Sequence, residues 1–253
     1  MSFVDDFILK IKRGETPVYR TLRRIARGIM SPPPVPVPGF LRPLLRLVYE
    51  AHFGVILAVR TLVTMLYSQP IFTARCVSVG ERLHLDGLPF VYGHVEIYIG
   101  DHVWLGGKVA IMSGRTLDHP KLIIKDHALI NWNTQITVNR EVVIEEYALI
   151  SYDCRIADSD GHRLEPDLRA QHVPVDPSNI RPVRICRNAW IGNGAHIMKG
   201  VTVGEGAIVA ANSVVTRDVP PFSLARGNPA QIYPRNYNKL SQQPESAEAP
   251  ASS

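Results

Sequence analysis

Toward the C-terminus, aliphatic residues recur at every sixth position: Ile185, Ile191, Ile197, Val203 and Val209, with Val215 extending the run. Four places after each of the first five comes a smaller residue: Ala189, Ala195, Val201, Ala207 and Ser213. Glycine or alanine directly follows three of the aliphatics (Gly192, Gly204, Ala210). A period of six is neither the 3.6 of an α-helix nor a simple alternation. It predicts a parallel β-helix, in which three short flat sides close one coil. The aliphatic side chain points into the prism and the small one fits beside it. Ordinary sandwich strands would not hold this phase over five repeats.

The same phase runs upstream with interruptions. Ile99, Leu105 and Ile111 form one set, with Val103 and Val109 in the small position; Ile124, Ile130 and Ile136 form the next, with Ala128 and Thr134. Ile144, Ile150 and Ile156 follow, with Ala148 and Cys154, and Val79 and Leu85 make an earlier, weaker pair. Each set of three makes about one turn of the coil. The gaps between sets predict loops thrown out of the prism. The longest, between Ile156 and Ile185, is too long for a turn and marks a functional region. Spacing alone leaves the handedness of the coil open.

Four stretches carry a family resemblance: Trp190-Ile191-Gly192; Lys199-Gly200-Val201-Thr202-Val203-Gly204; Ala211-Asn212-Ser213-Val214-Val215-Thr216-Arg217-Asp218-Val219-Pro220; and Gly227-Asn228-Pro229-Ala230. In this order they resemble the hexapeptide-repeat acyltransferases, above all the maltose and galactoside O-acetyltransferases and the related enzymes that acetylate bacterial polysaccharides. The resemblance covers roughly residues 79–235 and is most specific at 185–230. It implies a mainly β fold, a left-handed parallel β-helix of hexapeptide repeats, to which the residues before it add an N-terminal helical extension. It also implies a homotrimer and acetyl-coenzyme A as co-substrate. The resulting domain map is a basic helical extension at 1–72, the β-helix at 73–235 and a disordered tail at 236–253.

Charge is uneven along the 253 residues. Residues 1–75 hold 11 Lys/Arg against 4 Asp/Glu, and the rest hold 17 against 19. The basic character therefore belongs to the N-terminal segment. It carries no nucleic-acid recognition motif, and no nucleic-acid partner is expected. Residues 3–30 read as two short helices broken near Gly14 and Pro17, the second bearing Arg20, Arg23, Arg24 and Arg27 beside Leu22, Ile25 and Ile29. Residues 32–38, Pro-Pro-Pro-Val-Pro-Val-Pro, predict a stiff extended spacer. Residues 40–67 predict an apolar helix whose cleanest window, Phe53 to Tyr67, falls short of a membrane span and is interrupted by Arg60. Its expected role is to cap the open first coil of the β-helix. The other reading of residues 1–67 is peripheral contact with an anionic membrane through the arginines. No signal peptide is visible, because Asp5 and Asp6 precede a short apolar run. Cys76, Cys154 and Cys186 are odd in number and lack metal spacing, which predicts packing roles in a reducing cytoplasm. The expected location is cytoplasmic, at most peripheral on the inner face of the membrane.

His162 is the leading chemical candidate. It stands in Asp158-Ser159-Asp160-Gly161-His162, just past Ile156, at the mouth of the long interruption. The resemblance implies a catalytic base there, although Arg163 stands where the sugar acetyltransferases often have proline. An alcohol is a poor nucleophile at neutral pH, and an imidazole with a pKa near working pH takes its proton during attack on a thioester carbonyl. Asp158 or Asp160 is placed to orient that imidazole or to shape a corner turn. By the same resemblance Asn131, in Ile130-Asn131-Trp132-Asn133, contacts the acceptor; stacked asparagines in a β-helix also form simple amide ladders. Trp190 directly precedes an inward residue and so points outward, and the resemblance lays it against the pantetheine arm. Asn193, Ala211, Thr216 and Arg217 match positions that line the coenzyme groove, with Arg217 keeping positive charge for phosphates. His84, Asp86, His94, His102, His119 and His127 show no metal spacing and read as surface corner residues, so no metal is expected. The function this implies is acetyl transfer from acetyl-coenzyme A to a hydroxyl of a sugar or glycan intermediate. N-acetylation of an amino sugar and a non-catalytic β-helix scaffold are the alternatives.

Overall fold

The computed structural model describes residues 2–30 and 35–234. The expected disordered tail at 236–253 and the first three prolines of the spacer lie outside these residues. The chain divides into two compact units, residues 1–57 and 58–253.

The first unit is helical. Helix α1 (Phe3–Arg13) opens on a capping box, in which the Ser2 hydroxyl accepts the Asp5 N–H and the Asp5 carboxylate accepts the Ser2 N–H. Gly14, at φ 67°, closes it in the left-handed conformation that glycine adopts without cost. Helix α2 (Pro17–Met30) returns beside α1, with the Phe7 and Tyr19 rings packed edge to face at 6.0 Å. Val35–Pro38 is exposed and forms no regular element. Helix α3 (Arg42–Val63) runs across the boundary between the units.

The second unit is the β-helix and its cap. A π turn (Thr64–Ser68) leads into α4 (Gln69–Arg75). Phe72 is buried in one cluster with Leu83 and Leu85, and so closes the open first coil. The Arg75 guanidinium donates to the carbonyls of Val95 (3.1 Å) and Gly93 (3.0 Å). The cap was expected from residues 40–67. Within the second unit it comes from 68–75, where Ser68 and Phe72 turn inward, while 58–67 is largely exposed and contributes the Arg60 contact to Asp86.

Three parallel sheets follow, and their register confirms the sixfold phase residue by residue. The first side stacks Val79, Ile99, Ile124, Ile144, Ile185 and Val203. The second stacks Leu85, Leu105, Ile130, Ile150, Ile191, Val209 and Ala225. The third stacks Val91, Ile111, Ile136, Ile156, Ile197 and Val215. This is a left-handed parallel β-helix, closed at its far end by an antiparallel hairpin, Ser223–Gly227 with Ala230–Pro234. Val91, six residues after Leu85 and not named with that pair from the sequence, completes the first coil. The expected small positions hold on the second side as Ala128, Ala148, Ala189 and Ala207. On the first side they are larger: Ile97, Leu122, Val142 and Val183. There, two aliphatic side chains per coil share the interior. The expected packing role of Cys154 is borne out, since it is fully buried and its thiol is pushed up to about 11 by desolvation.

Corners between the first and second sides repeat one turn. Arg82, His102, His127, Tyr147 and Asn188 all have φ between 54° and 58°. This left-handed conformation is costly for L-residues, and here it recurs with ladder contacts. The rings of His102, His127 and Tyr147 stack at 4.8 and 4.7 Å, and the Asp126 carboxylate accepts the Asp101 N–H of the coil below. The corner between the third and first sides is the variable one. Both long loops, 113–120 and 157–182, leave the prism there.

Candidate active site

The third-to-first corner is organised by Asp158, whose side chain is fully buried. Its carboxylate accepts the backbone N–H groups of Asn139 (2.8 Å), Arg140 (2.6 Å) and Glu141 (3.0 Å). Burial raises its pKa above the ordinary carboxylate value, and the three N–H donors oppose that rise. The Asn139 amide donates to the Ser159 hydroxyl at 2.6 Å, and that hydroxyl accepts the Gly161 N–H at 3.3 Å. Buried bonds therefore fix the backbone on both sides of this corner and set the position from which His162 projects. The His162 side chain is exposed and, among the described residues, makes no hydrogen bond or ion pair.

The 157–182 loop folds back over the 113–117 loop. Val175 and Ile180 are buried as its anchors. Arg163 pairs with Asp176 at 2.6 Å, Arg115 donates to the His172 carbonyl at 3.0 Å, and the Thr116 hydroxyl donates to the Val175 carbonyl at 3.3 Å. Arg163, which stands where proline was expected, thus braces the loop. The two loops enclose a cleft of about 590 Å³ bordered by His162, His94, His172, Arg115, Asn139 and Tyr92. His94 Nε2 lies 2.8 Å from the Leu117 carbonyl.

Sequence reasoning placed His94 among the surface corner residues and did not single out Arg115, Asn139 or His172. A usable signal existed. The gaps after Ile111 and after Ile156 both follow third-side residues, so both loops leave the same corner with Asn139 between them. Asp86 also differs from expectation. Its carboxylate is a hub that receives Arg60 (3.1 Å), the Trp132 indole (2.8 Å) and the Trp104 indole (3.3 Å).

The remaining candidates fall into two groups. Thr216 and Arg217 are exposed at the same corner as His162, two coils further on, and Arg217 donates to Gln231 at 3.2 Å. Asp160 pairs there with Lys199 and Asp158 with backbone, so neither carboxylate is bonded to the His162 ring. Asn131, Trp190, Asn193 and Ala211 lie at or beside the second-to-third corner, one flat side away. Asn131 donates to the Ile150 backbone carbonyl at 3.2 Å, and the residues stacked above and below it are Ser151 and Gly106, so it belongs to no asparagine ladder. The Trp190 indole is half-exposed and donates to the Ser151 hydroxyl at 3.1 Å. Asn193 and Ala211 are exposed on successive coils, where the Asn193 carbonyl accepts the Asn212 N–H at 2.8 Å. Between them Gly192 has no room for a side chain: a Cβ would sit 2.7 Å from the Ala211 nitrogen. One chain therefore brings together His162, Thr216 and Arg217, and separates them from Asn131, Trp190, Asn193 and Ala211. Among the described residues no group of three or more His, Cys, Asp or Glu is gathered to hold a metal.

Comparison with known proteins matches the repeat and the fold. Residues 182–217 match the family described as Bacterial transferase hexapeptide (six repeats). The chain is 34% identical over 111 residues to "Putative acetyltransferase YJL218W" of Saccharomyces cerevisiae, covering 44% of this chain and 54% of that protein. It is 46% identical over 59 residues to "Putative acetyltransferase SACOL2570" of Staphylococcus aureus, covering 23% of this chain and 30% of that protein. The chain thus spans a third to about half the length of these relatives. A solved structure of a variant of AntD, an N-acyltransferase from Bacillus cereus, in complex with dTDP-4-amino-4,6-dideoxyglucose and coenzyme A, shares the fold. Its TM-score is 0.51 at 18% identity, covering 70% of this chain and 94% of that one. In repeat and in fold this chain resembles the hexapeptide-repeat acyltransferases, and its second unit is a left-handed β-helix of that kind.

Proposed function

We propose that this chain is an acyltransferase that moves an acetyl group from acetyl-coenzyme A to a hydroxyl of a sugar or glycan intermediate, with His162 as general base. The observation that carries the reading is the exposed, unbonded imidazole at the lip of a polar cleft, held there by the buried Asp158 turn. The repeat match at 182–217 and the acetyltransferase names of the relatives supply the reaction class. The neighbour crystallised with coenzyme A and a nucleotide-linked amino sugar keeps the amino group as the competing acceptor.

The residues fit the coenzyme. Arg217 is exposed, and its bond to Gln231 uses one guanidinium nitrogen and leaves others for phosphates. Trp190 offers a half-exposed ring face to an extended thioester arm. In the reaction, His162 takes the proton of the acceptor hydroxyl as its oxygen attacks the thioester carbonyl. The tetrahedral oxyanion collapses, the carbon–sulfur bond breaks, and the leaving thiolate takes the proton back from the imidazolium. The products are the acetyl ester and free coenzyme A, with no acyl-enzyme. Because Trp190, Asn193, Ala211 and Asn131 lie one prism side away from His162, a complete site needs a second subunit, and the assembly proposed is a cyclic homotrimer.

The test is to incubate the purified protein with acetyl-coenzyme A and a panel of neutral, nucleotide-linked and amino sugars while following thiol release. Turnover with a hydroxyl acceptor is expected. Turnover confined to amino sugars assigns N-acetylation. No thiol release with any acceptor, together with no coenzyme A binding by calorimetry, overturns the enzymatic reading in favour of a scaffold.

A further inference from the structure

Helix α3 gathers its charged side chains on one stripe and leaves apolar side chains uncovered over the rest of its surface. At about 100° per residue, Arg42, Arg46, Glu50 and Arg60 fall within one stripe about 80° wide. The last of these is fixed to the β-helix. The Arg60 guanidinium donates to the Asp86 carbonyl at 2.7 Å, pairs with its carboxylate at 3.1 Å, and lies over the Trp132 ring at 4.9 Å. The arc opposite this stripe is apolar, and Phe53 and Leu57 are exposed apolar residues within the stripe itself. That arc carries Leu44, Leu47, Val48, Val55, Val59 and Leu62, between 54% and 66% exposed. The 37-residue helical stretch Gly39–Arg75 contains an 18-residue window of mean hydropathy 1.5, only 11% of it buried. A continuous apolar surface of this length far exceeds what a soluble monomer leaves in water.

We propose that the apolar arc of α3 lies in the surface of an anionic lipid bilayer, with the helix axis in the membrane plane. Charge selects this occupant. The 75 residues that include α3 carry 11 Lys/Arg against 4 Asp/Glu, whereas the rest of the chain is slightly acidic. Within the first unit, the α1–α2 hairpin holds an apolar groove, lined by Ile8, Ile11 and Ala26, that is edged by Lys12, Arg23 and Arg27. Apolar floor with cationic rim is the chemistry of an acyl chain beneath a phosphate headgroup. A perpendicular span is disfavoured, because Arg60 lies within the apolar stretch and is held by Asp86 against the β-helix.

Flotation of the full-length protein tests the proposal, using vesicles of phosphatidylcholine alone and of phosphatidylcholine with phosphatidylglycerol at two parts to one. Wild type is expected to float with both and more completely with the anionic vesicles. The triple variant Leu47→Glu, Val55→Glu, Leu62→Glu should lose about tenfold or more in partitioning for each side chain removed from the hydrocarbon, and its β-helix should keep its melting temperature. A separate Val55→Trp variant, with fluorescence quenched by brominated lipid beyond the wild-type level, reports insertion without disturbing the arc. Three outcomes overturn the proposal: wild type stays unbound, position 55 shows no added quenching, or the triple variant binds as wild type does. A triple variant that instead changes oligomeric mass by light scattering assigns the arc to a second copy of the chain, which also overturns it.

Discussion

At the third-to-first corner a single buried carboxylate, Asp158, satisfies three backbone N–H groups at once. Replacing it with alanine leaves the Asn139, Arg140 and Glu141 donors without their acceptor, at about 1–3 kcal/mol for each one that water does not reach. Asp158→Ala is therefore expected to destabilise the second unit by about 3–5 kcal/mol, with Asp158→Asn intermediate because it retains one acceptor oxygen. Urea denaturation followed by circular dichroism measures this, and a loss under about 1 kcal/mol would show that the corner holds without its carboxylate. His162 sits four residues on and has the opposite character, exposed and unbonded. His162→Ala is expected to leave the melting curve unchanged and to lower kcat by roughly 10²–10⁴-fold. Three imidazoles border the cleft, so His94→Ala and His172→Ala are the matched controls. A loss as large for either of them as for His162 would remove His162 from the role of base.

Elements were legible in the sequence wherever one residue type repeats in one phase. Ile99, Ile124, Ile144 and Ile185 stack as the six-residue period predicts, because inward positions on a flat strand accept little but aliphatic side chains. Within the second unit the cap falls at 68–75 rather than 58–67 for the converse reason. Apolar composition says that a helix wants an apolar neighbour, and it does not say which face finds one. Arg115 and His172 escaped notice, and His94 was read as a mere corner residue, because the cleft gathers them across more than 50 residues and no local pattern encodes how loops fold back. The loop that completes the cleft is itself braced by Arg163 and Asp176. Two Ser178 bonds and the Arg163 guanidinium hold the Asp176 carboxyl down at about 2. A lowered acid stabilises the fold above its ordinary pKa, and that contribution is lost as pH falls from 3.8 toward about 2. Pepsin cleavage within 163–170 is thus expected to accelerate through this window, and Asp176→Asn should expose Arg163 and Arg169 to trypsin at neutral pH. A variant loop as resistant as wild type would show that the ion pair does not brace it.

For the whole molecule, the decisive property is that the proposed site is divided between two edges of one prism. His162, Thr216 and Arg217 share one corner, while Asn131, Trp190, Asn193 and Ala211 lie at or beside the next. In a cyclic trimer each site would take its base from one subunit and its ring platform from the neighbour. This predicts complementation between two damaged chains. His162→Ala homotrimers lack every base, and Trp190→Ala homotrimers lack every platform. In trimers re-formed from an equal mixture, a site is intact when its base comes from the Trp190→Ala chain and its platform from the His162→Ala chain, which happens in about one site in four for random assembly. Thiol release should therefore recover to about a quarter of the wild-type rate, well above either variant alone. A site built within one chain gives no recovery at any mixing ratio. Light scattering on the same samples is expected to report a trimer, and full activity in a fraction that sediments as a monomer would overturn the shared site together with the assembly.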